Sequence, residues 1–159
     1  LLYAEDRHGA APEMRKVIEA GGTVLLDRYV YSNIAYQCAK ISDSEQKESL
    51  RQWIFDTEYG DFDLPKPDLN LFLDVPISFV ERKLTSARKG GDREYLAGGT
   101  DIHEADMQFQ CRVRDVYRRQ CELDPKFIRI DCSDSEGNML PPDAIFAKVR
   151  SCVDEVLGK

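Results

Sequence analysis

Asp27 and Arg28 close a short apolar run, Thr23-Val24-Leu25-Leu26, and Tyr29, Tyr31 and Tyr36 follow them. Arg28 offers a planar fork of donors that matches a phosphate bidentately. Asp27 is a hard oxygen ligand for magnesium or a hydrogen-bond acceptor, and the tyrosines can flank a flat ring. A phosphorylated nucleotide satisfies all three side-chain types; so does an ion pair at a strand end with tyrosines packed beneath it. The run itself gives the placement. Gly21-Gly22 bounds it upstream, its branched residues over 23–27 read as a strand buried on both faces, and ligands of open α/β sheets sit outside the carboxyl ends of strands.

Asp27-Arg28-Tyr29, followed by Ser32 and Ala35-Tyr36-Gln37, resembles the Asp-Arg-Tyr signature and succeeding helix of the thymidylate kinases, which transfer the γ-phosphoryl group of ATP to thymidine monophosphate. Leu1-Leu2-Tyr3-Ala4-Glu5-Asp6-Arg7 upstream, Pro67-Asp68-Leu69-Asn70-Leu71-Phe72-Leu73-Asp74-Val75 downstream, and Asp101-Ile102-His103-Glu104 fall in the family's order. The resemblance therefore covers nearly the whole chain. It implies a phosphotransferase of nucleotide biosynthesis that uses ATP and Mg2+, acts on thymidine monophosphate and forms a homodimer. A cytoplasmic location is expected from the lack of a membrane-span or signal-peptide pattern in the sequence.

The resemblance also implies roles for single residues. Tyr3 lies against the thymine ring and Arg7 donates to a base oxygen. Ser32 or Asn33 hydrogen-bonds the base, Gln37 does so from one turn on, and Tyr36 closes against the sugar. Arg28 meets the acceptor phosphate, and Asp27 meets either magnesium through water or the phosphate environment. Arg88 or Arg93, from a lid-like segment over 85–100, meets the transferred group, and the adenine side borders Cys132 and Ser133. The chain departs from one common family pattern, Asp-Arg-aromatic-Glu, where it reads Asp101-Ile102-His103-Glu104. The arginine absent there leaves that duty to the lid.

The 159 residues suit a single domain spanning 1–159, and 42% hydrophobic with 32% charged residues is a globular balance. The net charge of −7 argues against a nucleic-acid surface. No apolar run approaches the ~20 residues of a membrane span, and no signal peptide precedes the first helix. Cys38, Cys111, Cys121, Cys132 and Cys152 are odd in number and contain no Cys-x-x-Cys pair. Reduced, mostly buried thiols are expected, with neither a disulfide framework nor a zinc site.

Around the site the sequence predicts a helix ending near His8 and another from Pro12 to Ala20, with Met14, Val17 and Ile18 on one apolar stripe. A short helix over 32–37 follows the strand. A helix over 42–59 is signalled by a capping box at Ser42 to Glu45, with Leu50, Trp53 and Ile54 as its buried stripe. Strands follow at 69–75 and 127–131. Asp74 either faces the same crevice as Asp27 or caps the helix after Pro76. The segment over 85–100 carries Arg88, Lys89, Arg93 and two glycine pairs without apolar periodicity, which suits a closing lid or a solvated loop. A long helix reaches Glu122, with Arg112 and Arg114 toward solvent. A last amphipathic helix from Pro142 is core or interface.

The expected fold is α/β, a three-layer α/β/α arrangement with a parallel sheet of the P-loop nucleotide kinase type. No Gly-x-x-x-x-Gly-Lys-Ser/Thr phosphate loop occurs in the chain. The sequence thus reads as the carboxyl-terminal portion of a longer one, expected to fold poorly alone because a central strand would be missing. Two alternatives stay open: a deoxynucleoside kinase, whose acceptor is a hydroxyl, and a catalytically silent kinase-like binding module. A tyrosine pressed against the sugar's 2′ position would exclude a ribose hydroxyl. Tyr36→Ala is therefore expected to narrow the ratio of deoxyribo- to ribonucleotide rates in steady-state assays; an unchanged ratio refutes that role.

Overall fold

The computed structural model describes residues 2–87 and 107–158. The chain forms two compact units, Leu1–Pro67 and Asp68–Lys159. The first is helical: α1 (Leu2–Glu19), α2 (Val30–Cys38) and α3 (Ser44–Phe55), the last running on into a π-helical turn, Asp56–Asp61. The second holds β1 (Asn70–Asp74), α4 (Ile77–Ala87), α5 (Met107–Leu123), β2 (Phe127–Asp131) and α6 (Pro142–Leu157).

α1 is one continuous helix, not two, and Pro12 lies inside it. An internal proline removes a helix hydrogen bond. Packing overrides that cost, because Ala4, Ala11 and Met14 recur at helical spacing and are all buried. Val17 and Ile18, expected on the same stripe, are half exposed. The helix ends where Gly21 takes φ 76°, with Gly21 N–H donating to Ile18 O and Gly22 N–H to Val17 O, both at 2.9 Å. A Cβ on Gly22 would stand 2.8 Å from Val17 Cγ1, so the closure needs glycine there.

The strand expected over 23–27 does not form. Among the described residues the sheet consists of β1 and β2, and Leu25 is 94% exposed. Burial on both faces needs neighbours on both sides, and no described residue pairs with this segment. α3 is capped by Asp43, one residue later than expected, whose carboxylate accepts from Gln46 N–H at 2.8 Å. Ile54 is buried, but Trp53 is 53% exposed and lies off the core stripe.

In the second unit β1 and β2 pair in parallel, Asn70 opposite Phe127 through Asp74 opposite Asp131. This is the expected α/β pattern, a parallel pair joined by a long crossover. α5 covers the pair: Phe109 and Val113 are buried, and Tyr117 stacks on Phe72 at 4.8 Å and meets Phe127 edge-on at 6.2 Å. α6 has no fully buried residue, and Phe146 is 64% exposed.

Asp74 neither caps a helix nor opens to a crevice. It is 1% exposed and accepts from Arg118 Nε at 2.9 Å, from Arg129 Nε at 2.5 Å and from Arg114 Nε. Arg114, expected in solvent, and Arg118 sit four apart on α5, so one helix face delivers both. Arg129 also reaches Asp131 at 3.6 Å, easing the repulsion between carboxylates in register. Burial alone would push the Asp74 carboxyl up; the hydrogen bonds from the three arginines outweigh it and hold the group below the usual carboxylate range.

A group with a depressed folded pKa contributes stability that is present above its unfolded pKa, near ~3.9, and is lost as pH falls through the folded value. Asp74→Asn is expected to cost about 1–3 kcal/mol, because it removes the buried charge that orients three partly exposed guanidinium groups, which water then screens in part. It should also flatten the acid limb of the urea-unfolding midpoint plotted against pH; an unaltered limb refutes the assignment.

Candidate functional site

Four candidate site residues of the first unit, Arg7, Asn33, Arg28 and Tyr36, fall in two clusters. The first centres on a residue of the helix expected over 42–59 that no sequence motif singled out. Glu58, in the π-helical turn, is 1% exposed. Arg7 of α1 grips it bidentately, Nε to Oε2 and Nη2 to Oε1, both at 2.7 Å, and Asn33 of α2 donates Nδ2–H to Oε1 at 2.8 Å. A buried carboxylate is tolerable only when its lone pairs are met by charge and hydrogen bonds together, and this one has both. A signal was available: Leu50, Ile54 and Glu58 follow at steps of four, so an acid falls on the stripe that carries the core.

Two further contacts fasten α1 to the end of that turn. His8 Nδ1 lies 3.2 Å from Phe62 O, with the two rings 4.8 Å apart, and Arg15 bonds both the carbonyl and the carboxylate of Asp63. Tyr29 is buried at the entrance to α2 and donates its hydroxyl to Pro65 O at 3.1 Å. Burial pushes its phenol up to about 12; Arg7 opposes the rise, Glu58 adds to it and Arg15 opposes it again.

The second cluster is Arg28 with Tyr36. Arg28 takes φ 68°, a left-handed conformation uncommon outside glycine, asparagine and aspartate. Such a backbone costs of order 1 kcal/mol and is concentrated at functional sites. Its guanidinium lies 5.2 Å from the centre of the Tyr36 ring and donates Nη2–H to the Tyr36 hydroxyl at 3.3 Å. Asp27 and Arg28 are both exposed, so neither is closed off among the described residues.

The remaining candidates are more scattered. Ser32, at the start of α2, is half-buried and donates its N–H to Tyr29 O at 3.0 Å. Gln37 accepts from Lys40 Nζ at 3.2 Å, and Tyr3 is 77% exposed on α1. In the second unit the Cys132 thiol is buried and donates to Ile130 O, while Ser133 donates both N–H and hydroxyl to Asp131. Burial pushes the Cys132 thiol up, and the Ser133 hydrogen bonds hold Asp131 below the usual carboxylate range. Arg88, Arg93, Asp101, His103 and Glu104 lie outside the described residues, as does the expected lid segment beyond residue 87. All five cysteines are free thiols; Cys38 and Cys132 are buried and the other three are half-buried.

With the geometry in place, comparison decides the family. The family model for thymidylate kinase matches residues 1–140. The chain belongs to the thymidylate kinase family. A thymidylate kinase of Leifsonia xyli is 31% identical over 156 residues, covering 97% of this chain and 64% of that protein. One from Mycobacterium tuberculosis is 32% identical over 117 residues, covering 73% and 52%. One from Halothermothrix orenii is 31% identical over 160 residues, covering 96% and 67%. The chain spans about half to two thirds of the length of these relatives. Thymidylate kinase family membership agrees with the helices and small parallel sheet described above, an α/β fold of the P-loop kinase kind.

A tyrosine whose phenol is raised when folded stabilises the protein below its unfolded pKa, near ~10, and ceases to do so as pH rises through the folded value. Tyr29→Phe is expected to remove the ionisation near 12 from the absorbance titration. It should also lower stability at neutral pH by about 1 kcal/mol through loss of the bond to Pro65. A high-pH titration unchanged by the substitution refutes the burial argument.

Proposed function

We propose that the protein transfers the γ-phosphoryl group of ATP to thymidine monophosphate, giving thymidine diphosphate for deoxynucleotide synthesis. The observation that carries this reading is Arg28: an exposed guanidinium on a left-handed backbone, braced by Tyr36, in a chain that the thymidylate kinase model matches over 1–140. A braced fork with its face open suits the acceptor phosphate. Phosphoryl transfer needs little covalent work from the protein, so positioning and charge neutralisation are its main tasks.

In this reading Arg7, Asn33 or Ser32, and Gln37 meet the base, Tyr3 flanks its ring and Tyr36 closes against the sugar. Arg88 or Arg93 supplies charge to the transferred group, and Ser133 with the backbone of Cys132 borders the adenine. Magnesium is held through one or two carboxylates together with phosphates rather than by a cage of side chains. The exposed Asp27 carboxylate fits that role, and the ion would neutralise charge on the phosphates. The proposal also includes 1–159 as parts of one domain, a homodimer and a cytoplasmic location. Among the described residues no helix is long and apolar enough to cross a membrane.

Arg28→Ala in the full-length protein is expected to lower kcat for thymidine monophosphate roughly 100-fold or more, the scale for losing a charge-stabilising donor. Coupled ADP-release assays measure this. Near-normal turnover by a folded variant overturns the role, and phosphorylation of thymidine in preference to its monophosphate points instead to a nucleoside kinase.

A further inference from the structure

The Glu58 cluster fixes more than the helices it joins. An ionised carboxylate only accepts hydrogen bonds, so the Asn33 amide is turned with Nδ2 toward Glu58 and Oδ1 away from it. Arg7 spends Nε and one Nη2 hydrogen on the same carboxylate, which leaves its Nη1 pair unused by Glu58. Both side chains share one oxygen, Oε1, so the guanidinium and the amide are neighbours. Arg7 keeps 15% of its side chain exposed and Asn33 is half-buried, so ligand contact is open to both.

Resting on the reading under Proposed function, we propose that Glu58 is a positioning residue that sets the base preference. By holding one edge of Arg7 and the amide nitrogen of Asn33, it leaves Arg7 donors and the Asn33 carbonyl for the base. A donor beside an acceptor matches the O4 acceptor and N3–H donor of an oxopyrimidine. Cytosine presents an amino donor and a bare N3 instead, and so meets donor with donor and acceptor with acceptor. A hydrogen-bonding site rejects the mismatched partner strongly because its own polar groups are left unpaired.

The test is calorimetry of thymidine monophosphate and deoxycytidine monophosphate with the full-length protein, alongside Asn33→Ala and Glu58→Gln. Asn33→Ala keeps the Arg7–Glu58 pair, so it retains the fold should the second variant lose it. In Glu58→Gln the new amide donates where only acceptance was offered, which turns the Asn33 carbonyl inward. Each folded variant is expected to shrink the affinity ratio of the two nucleotides about tenfold or more, as for one lost hydrogen-bond discrimination. A purely structural role weakens both nucleotides in proportion, so an unchanged ratio in Asn33→Ala, or in folded Glu58→Gln, overturns the inference alone. A wild-type protein with no preference for thymidine monophosphate overturns the functional reading and this inference with it.

Discussion

A carboxylate at 1% exposure is the constraint around which the first unit is arranged. Desolvating Glu58 is costly, and the cost is offset only when a guanidinium and an amide arrive together in good geometry. That requirement joins three segments far apart in sequence: α1 through Arg7, α2 through Asn33 and the turn after α3 through Glu58 itself. Apolar contact completes the fit. Ile34 and Ala35 are wholly buried, and Phe55 stacks on Tyr59 at 5.7 Å while meeting Tyr31 edge-on. Hydrophobic area supplies most of the driving force but is indifferent to register. The hydrogen bonds to Glu58, with those of His8 and Arg15 just beyond it, register α1 against the turn.

The second unit solves a similar problem with three guanidinium groups in place of one. There one buried acid, Asp74, gathers three arginines, two from α5 and one from β2. The arrangement ties helix to sheet at the end of the strands where two acids stand in register. Tyr117, lying between Arg114 and Arg118 in sequence, packs on the sheet from the same helix. Charge and apolar surface therefore fix one orientation of α5 on the sheet from two sides.

Much of this was legible beforehand, and the divide is physical. β1 and β2 are found within a residue of their expected limits, because each has its partner in the chain and its apolar content reports that partner. The run at 23–27 has the same composition but no partner among the described residues, so composition alone misled. α1 passes through Pro12 because tertiary packing of Ala4, Ala11 and Met14 outweighs a local propensity. Asp27, Arg28 and Tyr36 were singled out by residue type near a presumed strand end, and Asn33 by the family resemblance. Their juxtapositions, Arg28 on Tyr36 and Asn33 beside Arg7, are long-range or conformational facts that no local pattern encodes. Glu58 and Asp74 escaped for one reason: a charge's burial is decided by which cations reach it, and those cations lie 40 or more residues away.

The π-helical turn that carries Glu58 has a genetic corollary. Such a turn holds about one residue more than an α-helical one. Deleting codon 56 or 57 would let the wider coil relax to the ordinary pitch and draw Glu58 back along the helix, away from Arg7 and Asn33. Length variation is usually tolerated where chain lies on the surface. This stretch would tolerate it poorly, because the carboxylate it displaces is one that holds the first helix.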